Sequence, residues 1–177
     1  MSVKRLEPGT RIPTVVTFLE MLGKPSNLAP LPKGKIAILR AEKPPLHFYR
    51  YLYDAIGRDY YWVDRKKLDD AALAAIVQHP RVELYALHLE GWPAGMGELD
   101  FRDEGICNLA YFGLMPEAVG RGLGFFFLNQ MIALAWANPI SKLLVNTCTL
   151  DHPRALPLYQ RAGFVPYSRE NRYIELP

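Results

Sequence analysis

The chain has 177 residues, 50% of them apolar, which is enough to bury one sizeable core and predicts a single domain over residues 1–177. Lys and Arg exceed Asp and Glu by only three (21 against 18); this is too mild a surplus for a dedicated nucleic-acid binder, though compatible with a small polyanionic ligand. The N-terminus has no apolar signal core, and the run FFFLNQMIALAW is cut by Asn129 and Gln130 well short of a membrane span, so the reading is a cytoplasmic protein with no membrane partner.

The first 34 residues or so read as an irregular N-terminal extension. Within them TVVTFLEML (Thr14 to Leu22) fits a short strand or a helical turn, and directly after them KIAILRAE (Lys35 to Glu42) fits a short strand. PPLHFYRYLYDAIG opens on prolines suited to a first helical turn and closes on Gly57, which predicts a helix. LDDAALAAIVQHP has acids in its first turn and a stop at Pro80, a second helix. The period then changes to that of strands: VELYALHLE, a turn at GWP, and AGMGELDFR form an antiparallel hairpin, and GICNLAYFGL adds a third strand. An almost all-round apolar helix from about Gly122 to Ala137, the strand KLLVNTCTL, a short helix at RALPLYQRAGF and a terminal strand NRYIELP complete the chain. The fold class is therefore mixed α/β, one sheet with helices on its faces, containing a right-handed βαβ unit. Cys107 and Cys148 each sit in an apolar strand-like run without a CxxC partner or a nearby His/Cys set, so they read as buried reduced thiols and no metal is expected.

Two segments carry chemistry. In LMPEAVGRGLGFFFLNQM, Gly120, Gly122 and Gly124 alternate directly before a helix. Glycines at a helix start leave the orphan N–H groups open, and the helix dipole favours an anion there, so the natural ligand is a phosphate. A GxGxxG fingerprint fails because Phe125 or Phe127 stands at the third glycine, and a P-loop fails because no Lys-Ser/Thr pair follows. Taken alone, the glycines also fit a tight strand-to-helix turn. One strand later, DHPRALPLYQRAGF (Asp151 to Phe164) combines a helix start, a Tyr two turns along and a Gly-Phe stop.

Together these segments resemble the GNAT superfamily of acyl-CoA-dependent N-acetyltransferases. In that family a loop of pattern Gln/Arg-x-x-Gly-x-Gly/Ala precedes a helix, and a later helix carries Asn-x-x-Ala-x-x-Leu-Tyr-x-x-x-Gly-Phe. The first pattern falls on Val119, Gly120, Arg121, Gly122, Leu123 and Gly124; the second falls on His152, Ala155, Leu158, Tyr159, Gly163 and Phe164. Val119 stands where the family has Gln or Arg, leaving Arg121 as the charge nearby, and His152 stands where it has Asn and reads as an N-cap or the residue before one. Pro157 implies that this helix starts late or bends.

The resemblance implies a GNAT-like mixed, mostly antiparallel sheet, with acetyl-CoA as donor and no metal. The pyrophosphate would lie on residues 119–124 and the pantetheine would pair with the strand at Phe112 to Leu114, which requires a gap between that strand and KLLVNTCTL. It also implies direct attack by a small-molecule or peptide amine, an oxyanion met by a backbone N–H near Leu114, and Tyr159 as partner of the leaving thiolate. Full proton transfer from a phenol near pKa ~10 to a thiolate near ~8.5 is uphill by about 2 kcal/mol, which favours a hydrogen bond. Glu98, on one strand face with Asp100 in GELDF, is the candidate base, and the same face turned to solvent would make both ordinary surface carboxylates. The aromatic stretch His47 to Arg65, with Asp54, Asp59 and Asp64, walls the acceptor side in this family; Tyr60, Tyr61 and Trp62 are candidates to select an amine, while most of its aromatics read as core. A catalytically inactive CoA-binding or structural domain of the same fold is the alternative. The N-terminal segment or a sheet edge offers a place for a homodimer contact.

Overall fold

The computed structural model describes residues 7–26 and 29–177. Seven strands and four helices follow the order β1 (Arg11–Met21), β2 (Ile36–Ala41), α1 (Leu46–Gly57), α2 (Asp70–Val77), β3 (Val82–Leu89), β4 (Trp92–Asp100), β5 (Ile106–Leu114), α3 (Leu123–Trp136), β6 (Lys142–Cys148), α4 (Ala155–Ala162) and β7 (Val165–Glu175). One sheet holds all seven strands in the order β2-β3-β4-β5-β6-β1-β7, and only the β5–β6 pair is parallel. This is the mixed, mostly antiparallel sheet the motifs implied.

The helices end where local chemistry says they should. α1 begins after Pro45, and α2 is capped by Asp69, whose carboxylate accepts the Ala72 N–H at 2.8 Å. The β3–β4 reversal is shorter than the sequence suggested. Glu90 and Gly91 both take positive φ (53° and 93°), the requirement of a two-residue hairpin turn, so Trp92 and Pro93 already belong to β4. β7 is likewise longer than NRYIELP, beginning at Val165.

The larger correction concerns the N-terminal segment. Of the two readings of Thr14 to Leu22 the strand holds, but not as part of an irregular extension over residues 1–34: β1 runs for 11 residues between β6 and β7 and pairs with both; residues 1–6 and 27–28 lie outside the described residues. Its alternation of half-buried and buried positions, ending in Leu19 (0% exposed) and Met21, is that of an interior strand.

The β4–β5 pair is covered on both faces. A Cβ on Gly95 or Gly97 would strike Phe127 or Met131 of α3, whereas one on Gly113 would strike Ile56 of α1 and Trp62. α1 and α3 thus pack on opposite faces, and the core continues through Leu52, Leu99 and Leu128. Among the described residues, no helix is long and apolar enough to cross a membrane.

β5 and β6 pair only over Ile106–Asn108 against Lys142–Leu144. Beyond Asn108 the two strands separate, the gap expected between them. A register irregularity between Glu98 and Leu99 leaves Ala110 without a partner in β4. Such a bulge increases local twist and turns β5 away from β6 at the point where pairing stops.

Candidate active site

The fork between β5 and β6 opens into a cavity of about 1200 Å³. Its floor is β5 from Leu109 to Leu114, so Phe112 and Leu114 both line it. After a 3-10 turn at Pro116–Ala118, the chain passes Val119, Gly120 and Gly122 along the rim and enters α3. Gly120 and Gly122 have φ of 82° and 76°, and a Cβ at either would meet nothing within 4 Å. Their need for glycine is therefore one of backbone conformation, with open space above for a ligand. No side chain caps α3 and no acid lies in its first turn, leaving N–H groups that fit a pyrophosphate. Arg121 is exposed and is not part of the lining; Leu123, a buried residue, is.

Gly124 is different, because it lies inside the helix. A Cβ there would sit 3.8 Å from Leu114 Cδ1 and Leu158 Cδ2, an ordinary contact. Gly124→Ala is expected to stabilise the protein by about 0.4–1 kcal/mol, whereas Gly122→Ala, forced into the left-handed region, is expected to destabilise it by about 1–2 kcal/mol. Thermal denaturation of the two variants checks the opposite signs.

The second wall is the turn from β6 into α4. Asp151 Oδ2 accepts hydrogen bonds from Thr147 Oγ1 (2.6 Å) and the Cys148 N–H (2.9 Å). His152 precedes the N-cap, which is Arg154; its Nδ1 accepts the Arg154 N–H at 3.1 Å and its carbonyl accepts the Ala155 N–H at 2.8 Å. The ring braces the turn and meets Tyr60 edge-on at 6.2 Å, inside the cavity lining. Pro157 falls in the first turn of α4, where its missing N–H has no intrahelical partner to lose, so the helix starts late as expected. Cys107 is buried as read, but Cys148 is only half-buried and lines the cavity.

Tyr159 projects from α4 into the same cavity, packed against Phe112 (6.4 Å) and Phe164 (5.9 Å). It is 6% exposed, and no side-chain hydrogen bond engages its hydroxyl among the described residues. Burial first, and then the Asp151 carboxylate, push its phenol well above the usual range. A phenol so disfavoured as an anion serves better as a hydrogen-bond donor than as a full acid.

Glu98 is not brought to this cavity. It is 0% exposed, accepting a hydrogen bond from Tyr49 Oη on one oxygen and from Arg65 Nη2 (2.7 Å) on the other. The face of β4 that carries it turns toward α1, and the partner that neutralises it comes from the segment after α1, beyond the reach of strand alternation. Asp100 is clamped by Arg102 at the end of the same strand.

From the acceptor-side stretch, Tyr60, Tyr61, Trp62 and Asp64 line the cavity. Asp54 instead pairs with Arg58 and Lys66, and Asp59 is not in the lining. The structure adds Tyr111 and Asp151, which the sequence reading did not single out. Tyr111 looks like any strand aromatic, and Asp151 reads as the lead-in to a helix. Among the described residues, no group of three His, Cys, Asp or Glu side chains is placed to hold a metal ion.

Solved structures share this fold. A GCN5-related N-acetyltransferase from Kribbella flavida aligns at 16% identity and TM-score 0.62, covering 92% of this chain and 58% of the other. A conserved protein of unknown function from Staphylococcus epidermidis aligns at 13% identity and TM-score 0.61, over 94% of this chain and 63% of that one. This chain therefore spans less than two thirds of the length of either. An IAA acetyltransferase from Bacillus cereus aligns at 21% identity and TM-score 0.57, over 76% and 79%. No curated protein matches the sequence. Residues 49–164, which hold the cavity floor, the glycine rim and α4, match the family model described as Acetyltransferase (GNAT) family, and the chain belongs to that family.

Proposed function

We propose that the protein is an acyl-CoA-dependent N-acyltransferase that moves an acetyl group from acetyl-CoA to an amine of a small molecule or peptide by direct attack. The observation that carries this reading is one cavity, at the β5–β6 fork, onto which the uncapped start of α3 and the Tyr159 side chain both open. Acetyl-CoA supplies the acyl group as an activated thioester. Residues Val119 to Gly124 offer backbone N–H groups to its pyrophosphate, and the stretch of β5 from Phe112 to Leu114, released from β6, offers strand hydrogen bonds to the pantetheine amides. With Val119 in place of a polar residue, the backbone provides this contact. Tyr159 Oη donates a hydrogen bond where the thiolate leaves, and His152 holds the turn that aims α4. Glu98, locked beneath the acceptor wall, has no part in proton transfer in this reading. Aminoglycoside acetyltransferase meta-AAC0020, at 13% identity and TM-score 0.58, has a substrate class compatible with an amine acceptor here.

The test is a thermal shift with saturating acetyl-CoA, with adenosine diphosphate as comparison. At about 100 times the dissociation constant, binding adds ~2.7 kcal/mol, a rise of roughly 5–10 °C for a chain of this size. No shift removes the donor assignment. A shift without thiol release to any amine leaves a CoA-binding domain that has lost its chemistry. Tyr159→Phe is expected to lower kcat by about tenfold or more and to leave acetyl-CoA affinity unchanged; unchanged turnover removes Tyr159 from the mechanism.

A further inference from the structure

The turn between β6 and α4 holds a carboxylate with half of its hydrogen-bonding capacity committed. Asp151 Oδ2 takes both donors of the turn, Thr147 Oγ1 and the Cys148 N–H, while Oδ1 receives no protein donor among the described residues. Nor does Asp151 have an ion-pair partner there: each of the Lys and Arg side chains found in a salt bridge among the described residues is joined to another acid. No polar side-chain atom is both fully buried and unpartnered among those residues, so Oδ1 reaches accessible space. That space is the cavity, since Asp151 is half-buried in its lining beside Tyr159 and His152. A half-spent carboxylate fixed by two hydrogen bonds is oriented in advance, which distinguishes it from a surface acid free to rotate.

We propose that Asp151 Oδ1 binds the nitrogen of the acceptor and takes its proton, so that the site selects primary amines that arrive as cations. The proposal rests on the acyltransferase reading above and names its acceptor side. The bound ammonium first gives one proton to Oδ1, which frees its lone pair; the lone pair forms the N–C bond to the acyl carbon, the C–S bond breaks, and its electron pair leaves with sulfur. The nitrogen, positive again once it has attacked, gives its second proton to the leaving sulfur, which departs as thiol, and the proton held on Oδ1 then passes to water. A carboxylate is a weak base toward an ammonium ion, so Oδ1 takes full hold of the proton only as the attack proceeds. In the Michaelis complex its negative charge draws in the ammonium form, which predominates at neutral pH.

The surroundings favour this assignment. The Tyr159 phenol on α4 is pushed up by burial and then by the Asp151 charge, and that of Tyr60, reaching in from the segment after α1, by burial, then by Asp59 and then by Asp151, so both stay neutral donors. Asp64, in no salt bridge among the described residues, and Lys67 also line the cavity, from the same segment after α1 as Tyr60. On β7, Arg172 is occupied by Glu170 at 2.6 Å, and Glu175 lines the cavity nearby. Arg154 lies on the α4 wall, Cys148 ends β6, and Tyr111 and Trp62 present rings 5.0 Å apart on the wall toward α1, a surface that suits a cation bearing apolar groups.

The experiment follows thiol release from saturating acetyl-CoA with benzylamine, tyramine and spermidine as acceptors, across pH, for the wild type and Asp151→Asn. Asparagine keeps a carbonyl oxygen for Thr147 and Cys148 and places an NH₂ where Oδ1 was. The variant is expected to show the wild-type thermal shift with acetyl-CoA, together with a loss of about 100-fold in kcat/KM near about pH 7 that narrows as the pH approaches the amine's own pKa. A purely structural role would lower both rates by one factor at every pH. The wild type alone gives an independent reading: between about pH 7 and 9 its kcat/KM should rise by less than the tenfold per unit required when only neutral amine binds. The proposal is overturned by an Asn variant within about threefold of wild type, by a pH-independent deficit, by a full tenfold slope in the wild type, or by a wild type that binds acetyl-CoA and turns over none of the three amines. Failure of the wild type to bind acetyl-CoA instead defeats the acyltransferase reading on which the proposal stands.

Discussion

Glu98→Gln will destabilise the protein by about 3–5 kcal/mol, the range for breaking a buried ion pair by removing one partner. The pair is buried on both sides, Glu98 at 0% and the Arg65 side chain at 14% exposure. Glutamine keeps an acceptor for one of the two donors, but it leaves the Arg65 guanidinium without a counter-charge in a site that water barely reaches. Tyr49 couples the two further, since its hydroxyl donates to Glu98 and accepts from Arg65 Nε at 3.2 Å. At roughly 2–4 °C per kcal/mol for a chain of this length, the melting temperature should fall by about 6–20 °C. Adding Arg65→Met to Glu98→Gln should recover most of that loss, because removing both charges also removes the uncompensated one. A single variant that melts within about 2 °C of wild type would show that water or a shifted side chain neutralises Arg65. The guanidinium also lies over the Tyr111 ring at 5.1 Å, so the same variant should raise KM for an amine acceptor through the aromatic wall. In the proposed mechanism Glu98 carries no proton, so the acid side of the pH–rate profile should stay where it is.

That outcome separates what one strand can say about itself from what its neighbours decide. Alternation in GELDF correctly put Glu98 and Asp100 on one side of β4, but two faces of the sheet are covered by helices, and alternation does not say which of them meets the cavity. The partner that neutralises Glu98 lies 33 residues away in sequence. By contrast, the glycine rim, the α4 turn and the helix ends at Pro45, Asp69 and Gly163 were legible because each is decided within a few residues: a positive φ, a missing N–H or a side-chain cap. The β5–β6 gap was anticipated only through the family resemblance, and its physical origin is a bulge that no residue in the stretch announces. Asp151 was invisible for a similar reason. Its local role, holding Thr147 and Cys148, is what any Asp before a helix does, and only the fold makes the residue part of the cavity lining.

Leu19→Ala in β1 should destabilise the protein by about 2–5 kcal/mol, the range for emptying a fully buried leucine site, and removal of residues 1–22 should abolish cooperative unfolding altogether. The reason is topological. β1 is registered against β6 from Val16 to Met21 and against β7 from Arg11 to Glu20, so without it β7 loses its only strand partner among the described residues and β6 keeps just the short parallel contact with β5. A stretch that reads from sequence as a short strand or a helical turn within an otherwise irregular extension is thus what joins the C-terminal strand to the sheet. It also bears on the site. β6 follows β1 over six registered positions and β5 over three, so β1 draws β6 away from β5 and helps hold the fork open. A truncated chain that still melted cooperatively would require β6 and β7 to pair directly. In that rearranged sheet Asp151, two residues past the Thr149 side chain that bonds the Val15 N–H at 3.2 Å, would lose its anchor to β1. Circular dichroism melts of the truncated chain, with acetyl-CoA added to those that fold, distinguish a sheet that collapses from one that closes without the strand.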